Sequence, residues 1–125
     1  MLAERVLIVD DNPQNLKLVR VLLASEGYDV QTATDATEAL RAIEAFLPHL
    51  ILMDLQLPGM DGLELTQRLK ADPRWRHIIV VALTAYVMSG DQEKALAAGC
   101  DGYIPKPIDI GTLPTMVAEH LSKRA

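Results

Sequence analysis

Short apolar runs alternate along the chain with segments in which apolar residues recur every three or four positions. Three runs are continuous, which is typical of strands buried on both faces of a parallel sheet: Val6–Val9, Leu50–Met53 and Ile78–Leu83. Two further strands are predicted at Tyr28–Ala33, where apolar and polar residues alternate, and at Gly102–Ile104, which Pro105 follows. The alternation and the proline favour edge positions in the sheet for these two strands.

Periodic segments predict a helix after each strand. The first starts at the N-cap Asn12 and stops near Gly27, a residue suited to a left-handed C-cap. In the second, Asp35 and Glu38 form a capping-box pattern, and the apolar stripe is expected to extend to Leu47. The others are expected from Asp61 to a point before Asp72, from Ser89 to Ala98, and after either Asp109 or Thr112. Strands that alternate with helices predict an α/β fold with a parallel sheet.

Composition and charge narrow the class of protein. With 125 residues, 50% of them hydrophobic and 4% aromatic, the chain is expected to form one domain over residues 1–125. The formal net charge of −5 argues against direct nucleic-acid binding, which needs clustered Lys and Arg. Cys100 has no second cysteine for an internal disulfide, and no apolar run reaches the roughly 20 residues of a membrane span. We therefore expect a cytoplasmic location, no membrane insertion and no separate effector domain.

Acidic, hydroxyl and ammonium side chains stand at the ends of four predicted strands. Asp10 and Asp11 follow the first strand, Asp54 ends the third, Thr84 follows the fourth and Lys106 follows the fifth. Right-handed crossovers bring the carboxyl ends of parallel strands to one edge of the sheet, so these groups are expected to lie together. Three carboxylates in one crevice repel each other unless a cation joins them, and such an oxygen-rich site suits Mg²⁺.

Together these groups are suited to phosphoryl transfer. Asp54 can act as an oxygen nucleophile that forms an acyl phosphate. Mg²⁺, the Lys106 ammonium and the Thr84 hydroxyl can hold the phosphoryl oxygens, where negative charge is spread in the transition state. Each residue alone also has an ordinary structural explanation: Asp11 as a helix cap, Thr84 as a strand-end hydroxyl, Lys106 as a solvated loop residue. Their combination at four strand ends favours the functional interpretation.

These strand ends and their loops form a joint motif. It consists of Asp10-Asp11, Asp54 followed by Leu57-Pro58-Gly59-Met60-Asp61-Gly62, Thr84-Ala85, and Gly102-Tyr103 leading to Lys106-Pro107. The motif resembles that of the CheY-like receiver domain of two-component response regulators, and the resemblance covers essentially the whole chain. It implies a flavodoxin-like (βα)5 fold, a doubly wound parallel sheet with the strand order 2-1-3-4-5.

The resemblance implies a role for each site residue. Asp54 would accept a phosphoryl group from a histidine of a sensor kinase or of a phosphotransfer protein. Asp11 and Asp54 would bind Mg²⁺ directly, with the backbone carbonyl of Gln56 as a third ligand and Asp10 acting mainly through water. Lys106 would pair with the phosphoryl group, and the peptide bond between Lys106 and Pro107 is expected to be cis.

The resemblance also implies a conformational switch. The hydroxyl of Thr84 would move toward the phosphoryl group while the ring of Tyr103 turns inward, which reshapes the face made by the fourth helix, the fifth strand and the fifth helix. Tyr103 can equally be a static residue at the sheet edge. Gln56 and Tyr86 occupy positions that tune the lifetime of the phosphoryl group in the family.

The family pattern also suggests how this domain contacts other proteins. Kinase docking is expected on the first helix and on the loop after Lys106, with these candidate contacts: Asn15, Leu18, Leu22, Pro107 and Ile108. Core packing is the competing explanation for Leu22. Output is expected through protein contacts, as in single-domain response regulators of chemotaxis and cell-cycle control, by a monomer or a phosphorylation-dependent dimer. A receiver excised from a hybrid histidine kinase is an alternative.

Two other classes of function compete with a signalling domain that is not an enzyme. A Mg²⁺-dependent phosphohydrolase of the haloacid dehalogenase type also uses an aspartate nucleophile, a hydroxyl residue and a lysine. That family carries Asp-x-Asp on its first strand, whereas here the residue two after Asp10 is Asn12. A receiver-like domain that is never phosphorylated would keep the fold and lose acidic or lysine positions, all of which are present here.

Overall fold

The structure, a computed structural model, describes residues 3–55, 62–84, 91–106 and 108–122, without the side chains of residues 84, 91 and 92. In chain order its elements are β1 (Arg5–Val9), α1 (Pro13–Ser25), β2 (Asp29–Ala33), α2 (Ala36–Phe46), β3 (Leu50–Asp54), α3 (Gly62–Ala71), β4 (Ile79–Thr84), α4 (Asp91–Ala98), β5 (Gly102–Pro105) and α5 (Leu113–Ser122). The alternation of strands and helices predicted from the apolar pattern is confirmed.

The strands form one parallel sheet in the order β2-β1-β3-β4-β5. The flavodoxin-like order implied by the resemblance is therefore confirmed, and so are the edge positions of β2 and β5. All five residues of β3 are buried, because this strand lies in the middle of the sheet with helices on both faces. A strand that is buried along its whole length is thus the one that ends on Asp54.

Each face of the sheet is covered by its own hydrophobic cluster. Neighbouring residues of a strand point to opposite faces, so in β1 Val6 and Ile8 join one cluster while Leu7 and Val9 join the other. The cluster that contains Val6 packs against α1 and α5, and the cluster that contains Leu7 packs against α2, α3 and α4. This division fixes the sheet between two helical layers and aligns the carboxyl ends of its strands.

Local sequence signals explain most helix ends. The side-chain oxygen of Asn12 accepts hydrogen bonds from the backbone N–H groups of Gln14 at 2.9 Å and Asn15 at 3.3 Å, as expected of an N-cap. After α1, Gly27 has a φ of 94°, the left-handed conformation predicted for it. Of the two starts considered for the last helix, the one after Thr112 is correct.

The prediction that the apolar stripe of α2 extends to Leu47 is wrong. The helix ends at Phe46, and Leu47 has a left-handed φ of 53° and is 51% exposed. Pro48 disfavours the right-handed helical conformation of the residue before it, so the chain leaves the helix at this point. Smaller differences are that β2 begins at Asp29 and β4 at Ile79, each one residue later than predicted.

Two predicted starts lie outside the described residues, namely the Asp61 cap of α3 and the first two residues expected in the fourth helix, Ser89 and Gly90. Within the described part of the chain, none of the helices has both the length and the apolar character needed to cross a membrane.

Candidate functional site

Three aspartates converge at the carboxyl edge of the sheet. Asp54 is the last residue of β3 and is 4% exposed, Asp10 directly follows β1 and is 1% exposed, and Asp11 is exposed. One carboxylate oxygen from each lies within 4.8 Å of the other two. The predicted convergence of these three residues is therefore present in the structure.

Lys106 brings a positive charge to the two buried carboxylates. Its Nζ lies 3.0 Å from Oδ2 of Asp54, to which it donates a hydrogen bond, and 3.4 Å from Oδ2 of Asp10. Burial favours the neutral amine and acts to lower the pKa of Lys106, but the hydrogen bond and charge of Asp54, with those of Asp10, outweigh it. The pKa is raised overall, so the ammonium form predominates at neutral pH.

Asp10 is held in place by the start of α1. Its Oδ1 accepts a hydrogen bond from the backbone N–H of Asn12 at 2.9 Å, and its Oδ2 accepts one from Nδ2 of Asn15 at 3.3 Å. Sequence reasoning proposed Asn15 only as a kinase contact and missed this bond. The available signal was its position one turn into a helix that starts directly after the acidic pair.

The donor set fits a hard divalent cation. Asp10, Asp11 and Asp54 carry three negative charges against one positive charge from Lys106, which leaves a net charge of −2 within a mostly buried crevice. Mg²⁺ prefers oxygen ligands and keeps part of its water shell, and the exposed carboxylate of Asp11 leaves one side of the cluster open to solvent. The residues present can thus hold Mg²⁺.

Other predicted site residues are placed only in part. Thr84 ends β4 beside Pro105 of β5, at the same sheet edge as Asp54. Tyr103 lies on β5 opposite Ala82 and is half-buried against the cluster that contains Leu7. Three predicted site residues lie outside the described residues: Gln56, Tyr86 and Pro107.

The candidate kinase contacts differ in exposure. Leu18 on α1 is 45% exposed, whereas Leu22 is half-buried and packs against the cluster that contains Val6. Ile108 is also half-buried against that cluster. Core packing therefore accounts for the buried part of Leu22. Leu18 is the more accessible of the two leucines.

Gly62 is the last residue of the motif that follows Asp54, and sequence reasoning gave it no role of its own. It is the first residue of α3, and its backbone N–H donates a hydrogen bond to the carbonyl oxygen of Leu55 at 3.2 Å. A Cβ atom at this position would overlap the carbonyl oxygen of Asp54 and lie 2.9 Å from Cα of Leu55. The glycine allows α3 to start directly against the backbone of the candidate nucleophile.

Comparison with known proteins agrees with this geometry. Residues 6–118 match the response regulator receiver domain family. The polar-differentiation response regulator DivK of Brucella anthropi is 45% identical over 116 residues, which cover 93% of this chain and 94% of that protein.

Two solved structures show the same fold. The receiver domain of the sensor histidine kinase PA1611 from Pseudomonas aeruginosa PAO1 is 33% identical, with a TM-score of 0.87 over 97% of this chain and 99% of that chain, and it has a magnesium ion coordinated in its active site cleft. A CheY-like response regulator receiver domain protein from Methanospirillum hungatei is 32% identical, with a TM-score of 0.90 over 98% and 97% of the two chains.

The matched family is a signalling domain, which favours that class over the phosphohydrolase considered from the sequence. The 45% identity to DivK, the coverage of both chains and the strand order of the sheet all indicate the same family. The chain belongs to the response regulator receiver domain family of two-component signalling.

Proposed function

We propose that this receiver accepts a phosphoryl group on Asp54 from a phosphohistidine of a sensor kinase or of a histidine phosphotransfer protein. The observation that carries this proposal is the contact of the Asp54 carboxylate with the Lys106 ammonium at 3.0 Å, inside a cluster with Asp10 and Asp11. A carboxylate with a cation beside it and metal ligands around it is equipped to attack phosphorus and to stabilise the charge that develops there.

In the proposed transfer, an oxygen of Asp54 forms a bond to phosphorus as the bond between phosphorus and the donor imidazole nitrogen breaks. The electron pair of the broken bond stays on that nitrogen. Lys106 then moves from neutralising the free carboxylate to pairing with the phosphoryl oxygens, and the hydroxyl of Thr84 binds another of them. Slow hydrolysis of the acyl phosphate returns Asp54 to its free form, at a rate that Gln56 and Tyr86 tune.

The proposed metal site uses Asp11 and Asp54 as direct ligands, the backbone carbonyl of Gln56 as a third, and Asp10 mainly through water. When bound, Mg²⁺ neutralises charge on the phosphoryl oxygens during transfer. The magnesium ion in the related receiver of PA1611 supports this assignment. In the absence of the ion, Lys106 offsets only part of the negative charge of the aspartates.

Signal output is proposed to use the face formed by α4, β5 and α5. Movement of the Thr84 hydroxyl toward the phosphoryl group would be coupled to rotation of Tyr103, which is half-buried on β5. Changed packing on this face would alter binding of a protein partner or of a second copy of the receiver. The partner would bind a surface whose shape depends on phosphorylation of Asp54.

Docking of the phosphodonor is proposed on α1 and on the loop that follows Lys106. Leu18 at 45% and Val21 at 56% exposure form an apolar surface on α1, and Asn15 links that helix to Asp10. Pro107 and Ile108 would add the second part of the surface. The receiver is proposed to act through such contacts in the cytoplasm, without binding nucleic acid directly, and its formal net charge of −5 supports the last point.

The first test is intact-mass spectrometry after incubation with acetyl phosphate, with and without Mg²⁺. We expect a gain of roughly 80 Da, the mass of one phosphoryl group, that depends on Mg²⁺ and is absent in Asp54→Asn. Asp29→Asn is the matched control, because this aspartate is exposed on β2 at the opposite end of the strands. No gain in wild type, or an equal gain in Asp54→Asn, would refute the assignment.

A further inference from the structure

A pocket of about 260 Å³ lies at the amino-terminal edge of the sheet, opposite the aspartate cluster. It is formed where β1 begins, where the chain passes from α2 to β3, and where it passes from α3 to β4. Two arginines and two histidines from these segments line it: Arg5, Arg74, His49 and His77. The receiver function described above uses none of these residues.

The wall formed by Arg5 and His49 is held by backbone hydrogen bonds. Nε of Arg5 donates to the carbonyl oxygen of Leu47 at 2.9 Å, and the backbone N–H of Arg5 donates to Nδ1 of His49 at 2.9 Å. Oε2 of Glu4 also lies 3.3 Å from Nδ1 of His49, so an acidic side chain stands beside this wall.

The opposite wall is formed by Arg74 and Trp75. The guanidinium carbon of Arg74 lies 4.9 Å from the ring centroid of Trp75, and Nη2 of Arg74 donates to Oδ2 of Asp72 at 2.9 Å. The indole is half-buried and packs against the cluster that contains Leu7. The guanidinium, which is 65% exposed, and the indole thus form a stacked cationic and aromatic surface.

Guanidinium donors remain available on both walls. Within the described part of the chain, the two terminal nitrogens of Arg5 and Nη1 of Arg74 have no hydrogen-bond partner. None of the described side chains that line the pocket is acidic, and the rest of the lining is apolar: Leu47, Pro48, Trp75 and Ile78. Asp72, which pairs with Arg74, and Glu4, which contacts His49, lie beside this lining, so Arg5 is the guanidinium whose charge no described carboxylate offsets.

We propose that this pocket binds a small aromatic carboxylate. The two terminal nitrogens of Arg5 would donate charge-assisted hydrogen bonds to the two oxygens of the carboxylate, and Nη1 of Arg74 would donate one more. The aromatic body would contact Leu47 and the edge of the Trp75 indole. The volume is slightly below that of typical drug-sized ligand sites, which suits a compact ligand of this kind.

The full chain can be tested with benzoate as the probe and neutral benzamide as the matched compound. Trp75 is the only tryptophan, so its emission reports on the pocket. We expect saturable quenching by benzoate and none by benzamide. Arg5→Gln should weaken benzoate binding about tenfold, the effect of losing one charge-assisted hydrogen bond. Asp54→Asn should bind like wild type, which separates this proposal from the phosphoacceptor assignment.

Control variants distinguish loss of binding from loss of structure. Arg20→Gln removes an exposed arginine of α1 outside the pocket and should leave benzoate binding unchanged. Arg74→Gln leaves the bond between Arg5 and Leu47 intact, so it tests the charge requirement even if Arg5→Gln unfolds the chain. Equal quenching by benzoate and benzamide would overturn the proposal. Wild-type affinity for benzoate in Arg74→Gln, or in a folded Arg5→Gln, would also overturn it.

Discussion

Lys106 contacts both buried carboxylates of the site, and its raised pKa shows that their charges outweigh the effect of its burial. In the proposed transfer, the same ammonium would pair first with the free carboxylate and then with the acyl phosphate. At the residue scale, the contact between Lys106 and Asp54 would prepare the site for that reaction.

Gly62 offers a direct test of how closely α3 approaches the nucleophile. In Gly62→Ala, the added Cβ would overlap the carbonyl oxygen of Asp54 and force backbone movement. We expect a loss of about 1–3 kcal/mol in the free energy of unfolding and slower phosphorylation of Asp54 by acetyl phosphate. Urea unfolding and a time course of intact mass measure the two effects.

Gly27→Ala is the matched control for that substitution. Gly27 has a left-handed φ of 94°, but a Cβ there would meet no heavy atom within 4 Å. This variant should lose about 1 kcal/mol through backbone strain alone and keep the wild-type phosphorylation rate. If both glycine variants phosphorylate at the wild-type rate, close packing of α3 on Asp54 does not position the carboxylate.

Residue-level roles were predictable when they depended on neighbours in sequence. The Asn12 cap, the left-handed Gly27 and the acidic groups at strand ends all follow from local pattern and strand order. The contact of Gly62 with the Asp54 backbone depends on how a helix returns to the end of a strand. A sequence contains no distance of that kind, so the requirement for glycine became visible only in the structure.

At the scale of elements, the predicted capping box of α2 is present with one of its two hydrogen bonds shifted by a residue. The side chain of Asp35 accepts a hydrogen bond from the backbone N–H of Glu38 at 2.8 Å. The returning carboxylate of Glu38 accepts from the backbone N–H of Thr34 at 3.3 Å, one residue before the N-cap. The predicted capping pair is present, with its reciprocal bond shifted by one residue.

Removing this cap should weaken the fold without affecting the site. Asp35→Ala leaves the first turn of α2 without its side-chain acceptor, so we expect a loss of about 1 kcal/mol in the free energy of unfolding by urea. Asp35→Ser keeps an acceptor and should retain most of the stability. Equal losses in the two variants would show that charge, and not capping, is what Asp35 contributes.

The residues at which strands and helices begin or end were harder to predict where hydrogen bonds from residues distant in sequence help to fix them. Lys70 near the end of α3 donates to the carbonyl oxygen of Ile78 at 2.7 Å and to Oδ2 of Asp101 at 2.9 Å. The same carboxylate oxygen accepts from the backbone N–H of Val80 at 2.8 Å. These bonds join three segments near the starts of β4 and β5, and nothing in the spacing of the residues along the chain indicates them.

At the scale of the whole molecule, the site exists because parallel strands end at a common edge. Asp54 and Lys106, 52 positions apart, are in hydrogen-bond contact there, and Lys106 also lies 3.4 Å from Asp10, which is still more distant in sequence. The sequence predicted this convergence because right-handed crossovers leave few arrangements for alternating strands and helices. It did not predict the amino-edge pocket, whose walls are turns with no strong pattern of their own.

Magnesium binding should stabilise the whole fold. A ligand that binds only the folded chain adds about 2.7 kcal/mol when its concentration is 100 times its Kd. We therefore expect a higher urea midpoint in Mg²⁺ than in EDTA. Asp11→Asn should be more stable than wild type in EDTA, because it relieves repulsion among the three carboxylates, and should lose most of the response to Mg²⁺.

Asp29→Asn serves as the control for this linkage, since Asp29 is exposed and outside the cluster. It should respond to Mg²⁺ as wild type does. If Mg²⁺ raises the urea midpoint of Asp11→Asn as much as that of wild type, the stabilising ion binds elsewhere on the chain.

The strand order also bears on how copies of this receiver meet. An edge strand offers unpaired backbone groups on which a strand of another chain can add, the first step of many aggregates. Here β5 has only four residues and ends in Pro105, which has no N–H to offer, and β2 begins with the charged, exposed Asp29. Both margins of the sheet thus discourage growth into a neighbouring molecule, which leaves the helical faces as the surfaces on which another chain can pack.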